Sequence, residues 1–167
     1  MLKSRTGAHA WEEDNAGMGS TDSFEADFDA CVARLNEARG RLLQDVRHLD
    51  GHDLVQRRRG GWSVGEVLWH VADSEVSYAQ AVGFLRSRDA ASASASDDDV
   101  ASTGAIVLTL ERTRRALLDA IDGVDEDTFY DLRPLGRQQY SVLSVLENVA
   151  AHDDEHREQI AKTLGES

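Results

Sequence analysis

Proline is nearly absent from this chain, with one residue in 167. Folds of many short strands draw on proline and glycine for their turns, so its scarcity points toward helices. Cysteine is equally scarce. A lone Cys31 excludes a disulfide framework and a four-cysteine zinc site. Basic charge is short too: 18 Lys and Arg face 31 Asp and Glu, for a net charge of −13. That balance excludes the basic surface a nucleic-acid binder needs, and the run Arg57-Arg58-Arg59 is too short to restore it. No stretch reaches the ~18 apolar residues of a membrane span, and no apolar leader opens the chain. The expectation is a cytoplasmic protein with a solvated acidic surface.

What is present is helical period. From about Asp22 to Leu49, the residues Phe24, Phe28, Cys31, Leu35, Ala38, Leu42, Val46 and Leu49 step by threes and fours along one apolar stripe. Gly40 interrupts its propensity, and Gly51 is a plausible stop. A second helix starts at Ser63, which forms a capping-box pattern with Glu66, and fades near Arg88. Trp62 and Val67 stand where a hydrophobic staple would pack. Its inner stripe is Val64, Val67, Val71, Tyr78, Val82 and Leu85. A third helix spans about Val100 to Ile121 and ends at Gly123, with Val107, Leu110, Leu117 and Ile121 inward. A long connection, Asp125 to Tyr140, leads to a fourth helix from near Ser141 to Leu164, although Ser144 with Glu147 could also cap it. The stretch 90–99, "AASASASDDD", reads as a linker, and residues 1–20 as a mobile N-terminal tail before one domain, 21–167. Four amphipathic helices without a strand signal imply an all-α, antiparallel four-helix bundle. No internal repeat stands out beyond the shared helix–loop–helix plan of the halves.

Three histidines fall on the border of the inner stripes. His152 and His156 are one turn apart on the fourth helix, and His70 lies about two turns past the cap of the second. An i, i+4 pair and a third imidazole from a facing helix can hold one divalent ion and leave positions open for chemistry. The alternative is three ordinary boundary residues. Gln159 extends the same polar seam and could support a histidine. Glu75 falls on the apolar side of the second helix, where it either reaches solvent or orients a histidine or an arginine. Asp153 points into the stripe and would need a partner. His48 and His52 are also four apart, but Gly51 separates them. Glu66 is explained by capping, and Asp154 faces outward. Arg133 and Arg137 on the long connection could hold a substrate carboxylate, although surface charge explains them as simply. A pocket is expected beside that connection. No catalytic nucleophile or acid–base pair can be named, and Cys31 reads as a small buried apolar residue.

Two segments carry a resemblance. "GGWSVGEVLWHVADSE" contains Trp62, Ser63, Glu66, His70 and Glu75, and "YSVLSVLENVAAHDDEHREQI" contains His152 and His156. Together they resemble the DinB-like family, also described as the YfiT-like group of metal-dependent hydrolases, over about Phe24 to Leu164. The resemblance implies a four-helix bundle with one zinc, nickel, iron or manganese ion on His70, His152 and His156. It also implies a homodimer. Relatives include thiol S-transferases and a mycothiol-dependent maleylpyruvate isomerase, which implies a small-molecule thiol and an electrophile as partners. Two functions stay open: a metal-dependent S-transferase or hydrolase-like enzyme, and a non-catalytic metal-binding stress-response protein.

Overall fold

The computed structural model describes residues 18–87 and 102–165, with side chains from residue 22 onward. The expected linker and nearly all of the expected tail lie outside these residues. Four long helices form the bundle: α1 (Met18–Val46), α3 (Val64–Leu85), α4 (Thr103–Ile121) and α6 (Val142–Leu164). Between them lie two short helices, α2 (Gly51–Val55) and α5 (Glu126–Tyr130), and a hairpin of β1 (Arg133–Leu135) and β2 (Gln138–Tyr140). No described helix is long and apolar enough to cross a membrane.

The caps set the boundaries. Ser63 Oγ accepts from the Glu66 amide and Glu66 Oε2 accepts from the Ser63 amide at 2.6 Å, so α3 starts where its capping box predicts. For α6 the box is Ser141 with Ser144, not Ser144 with Glu147. Three expectations need correction. Gly51 does not stop the first helix, which ends at Val46; it opens α2, capped by Asp50. The first helix also begins at Met18, just inside the expected tail. The long connection does contain strands: Arg133 pairs with Tyr140 and Leu135 with Gln138 around a two-residue turn, where Gly136 takes φ +66°. Segments of three residues are too short to register as a period.

The core is split in two. One apolar cluster joins Cys31, Leu35, Val82, Leu85, Leu117, Ile121, Phe129, Val145 and Val149. The other joins Leu42, Val46, Val64, Val67, Leu68, Val71, Ile106, Leu110 and Ile160. Between these levels, each long helix contributes one buried charge: Arg39 from α1, Glu75 from α3, Arg114 from α4 and Asp153 from α6.

These four positions expose an internal repeat that goes beyond the shared helix–loop–helix plan of the halves. Leu35-x-x-x-Arg39-x-x-Leu42-Leu43 returns as Leu110-x-x-x-Arg114-x-x-Leu117-Leu118. Ser63-Val64-x-x-Val67-Leu68-x-x-Val71-Ala72-x-x-Glu75 returns as Ser141-Val142-x-x-Val145-Leu146-x-x-Val149-Ala150-x-x-Asp153. The contacts repeat as well. Arg39 Nη1 donates to the Leu110 carbonyl at 2.7 Å, and Arg114 Nη1 donates to the Leu35 carbonyl. Each arginine thus crosses to the backbone one turn before the other.

Candidate metal centre

His70 on α3 and His152 and His156 on α6 are each partly buried, at the level of the charged layer. Their metal-capable nitrogens all lie within 4.8 Å of one another, the one such convergence of three groups among the described residues. His152 Nε2 stands 3.3 Å from His70 Nε2 and 3.1 Å from His156 Nε2. Nitrogens bound at ~2.1 Å to one ion, with angles of about 90–110°, are separated by about 3.0–3.4 Å. The observed separations therefore fit a shared ion. A proton bridging one pair could not serve the third ring.

The surroundings favour lone pairs on the facing nitrogens. Gln159 Oε1 accepts from His156 Nδ1 at 2.8 Å, which puts the proton on Nδ1 and leaves Nε2 to face the cluster. Ser74 Oγ stands 3.5 Å from His70 Nε2. Burial, and then the neighbouring His156 and His70, hold the His152 imidazole down to about 4. Burial and then His156 lower His70 too. Neutral imidazole is the form that binds a cation.

Two aromatic residues flank the cluster. Trp62 packs edge-on to His70 with ring centroids 4.8 Å apart, and remains 49% exposed. Its ring thus borders the histidines instead of serving only as the expected staple. The Tyr78 ring lies 6.0 Å from that of His152, and burial raises its phenol above the ordinary value.

The other sequence candidates fall elsewhere. Glu75 touches no histidine. It accepts from Arg114 Nε at 2.5 Å, Thr113 Oγ1 at 2.7 Å and Arg39 Nη1 at 2.8 Å. Asp153 finds the partner its direction demanded, accepting from Arg39 Nε and Nη2 and from Arg114 Nη2 at 2.9–3.0 Å. Arg133 donates to the Leu85 carbonyl at 2.6 Å, and Arg137 is exposed at the hairpin turn. Neither arginine is among the partners of the three rings. Asp154 pairs with Arg41 at the surface, and His52 pairs with Gln56. Grooves of about 270 and 390 Å³ lie along α1 and α6, and none of the three histidines lines either. The three histidines are each half-buried. Arg39 and Arg114 were missed in the sequence. The signal was their spacing, four after one stripe leucine and three before the next, which places a cation inside the apolar face.

Fold and site together define a class: a helical bundle with a three-imidazole cluster between two of its long helices. The chain belongs to the DinB superfamily, whose family model matches residues 34–160. Its fold is similar to the crystal structure of TT2238, described as a four-helix bundle protein, with a TM-score of 0.64. Identity there is 25%, over 80% of this chain and 98% of that one. No curated protein matches.

Proposed function

We propose that this protein is a divalent-metal-dependent enzyme that joins a low-molecular-weight thiol to an electrophile, with water as the substitute nucleophile in a hydrolase-like variant. The observation that carries the proposal is the convergence of three imidazoles with no carboxylate among them. A divalent ion held by three uncharged ligands keeps its full charge and open positions, and so lowers the pKa of a thiol or water beside it. His70, His152 and His156 would bind the ion, and Gln159 would fix the tautomer of His156. Trp62 and Tyr78 would border the substrate. In S-transfer, the thiol gives up its proton and its sulfur forms a C–S bond as an epoxide opens, a halide leaves or an activated alkene is saturated. Homodimerisation belongs to the same proposal. Light scattering should return about twice the 18.4 kDa chain mass.

Metal analysis of purified protein tests the site, and a panel of thiols with a reactive electrophile tests the chemistry. The expected result is one ion per chain and thiol-dependent turnover that disappears on chelation. Metal without turnover across a broad panel would favour the non-catalytic metal-binding protein instead.

A further inference from the structure

The charged layer carries an inference about the metal centre, one that rests on the three-histidine reading. Arg39, Glu75, Arg114 and Asp153 are 3%, 1%, 6% and 1% exposed. Two cations and two carboxylates balance, and no buried side-chain nitrogen or oxygen among the described residues lacks a partner. Burial acts to lower the Arg39 pKa, yet Glu75 and Asp153 outweigh it and hold the guanidinium above its ordinary value. Such a layer is poor evidence for net stability, because replacing buried ion pairs by apolar residues is often neutral. Its distinctive property is register. Apolar stripes can slide by a fraction of a turn at low cost. A layer in which two forks must each meet both carboxylates has one setting.

The ligand positions make that setting matter. Glu75 lies five residues beyond His70 on α3, and Asp153 sits between His152 and His156 on α6. The carboxylates of α3 and α6 are joined through the same two arginines: Arg39 meets both, and so does Arg114. Those arginines are anchored in turn on the backbone of α4 and α1. We infer that the Arg39–Glu75–Arg114–Asp153 layer is a positioning device for the metal centre, setting α3 against α6 so that His70 meets the other two imidazoles at coordination distance. Glu75 is the decisive member. It is a positioning residue that touches no ring, and it acts on His70 through the arginines.

The test is cobalt(II) binding by the full chain, read as affinity and as the visible ligand-field spectrum. Glu75→Gln keeps the shape and removes the charge; Asp153→Asn does the same on α6. Phe129→Leu, in the aromatic cluster with Phe24 and Phe28, is the control for general loss of stability. Expected is at least tenfold weaker cobalt binding with an altered spectrum in Glu75→Gln, and wild-type binding in Phe129→Leu at the same distance below its unfolding midpoint. If Asp153→Asn fails to fold, Glu75→Gln alone decides. Wild-type affinity and spectrum in folded Glu75→Gln overturn the inference while leaving the metal site standing, as does an equal loss in Phe129→Leu. A wild-type chain that binds no cobalt overturns the metal reading and this inference with it.

Discussion

His152 is the centre of the cluster, since its Nε2 faces both other rings. Replacing His70, His152 or His156 by alanine should abolish or strongly weaken metal binding, whereas His48→Ala should bind normally; isothermal titration with zinc measures both. The low pKa of His152 adds a prediction for the metal-free protein. Its imidazole titrates near 6.5 when unfolded and near 4 when folded. Between those values the unfolded chain holds the extra proton, so stability falls as pH drops from about 6.5 to 4. Denaturant melts of metal-free protein at pH 7 and 4.5 should show the loss, and His152→Ala should flatten it. At this scale the sequence was legible where a direction on a helix suffices. It put the three histidines on inner borders and Glu75 and Asp153 inside the stripes. It could not say that Glu75 serves arginines and not histidines, because that depends on which helices become neighbours.

Two glycines on long helices invite opposite outcomes. A Cβ on Gly40 in α1 meets nothing within 4 Å, so Gly40→Ala should stabilise by about 0.5–1 kcal/mol. A Cβ on Gly65 in α3 would stand 3.2 Å from the Leu54 carbonyl oxygen of α2, a backbone atom that cannot rotate away. Gly65→Ala should gain nothing or lose stability, and urea midpoints of the two variants compare them directly. The cap of α3 is worth about 1 kcal/mol, read by Ser63→Ala. Elements with strong periods and caps were readable from the sequence, as α3 and α6 show. The hairpin was not, since three-residue strands carry no period and their turn residues read equally well as loop. The end of α1 was missed for a related reason. Leu49 continues the apolar spacing after the backbone has left the helix, and the following Asp50 caps a new one.

For the molecule as a whole, the charged layer sets the largest mutational costs. Glu75→Ala leaves two buried guanidinium groups short of a partner, and should cost about 3–5 kcal/mol in denaturant melts. That exceeds the ~1–3 kcal/mol expected for a single lost hydrogen bond. The repeated segments explain the layer's symmetry. They also show what is not symmetric: by the repeat spacing, His70 corresponds to Asn148, His152 to Ser74 and His156 to Tyr78. The three-histidine cluster is therefore built on a doubled frame, with two histidines from one half and one from the other. The crossed arginines have a consequence for the chain as two pieces. The half containing α1 and α3 holds Arg39 but lacks Asp153, and the half containing α4 and α6 holds Arg114 but lacks Glu75. Each half alone keeps one pair, Arg39 with Glu75 or Arg114 with Asp153, but loses the cross pairs and the packing of α1 on α6 and of α3 on α4, so neither should fold in isolation. Cut within residues 88–101 and mixed, the fragments should complement each other into a 1:1 complex, and recovery of metal binding would report their reunion.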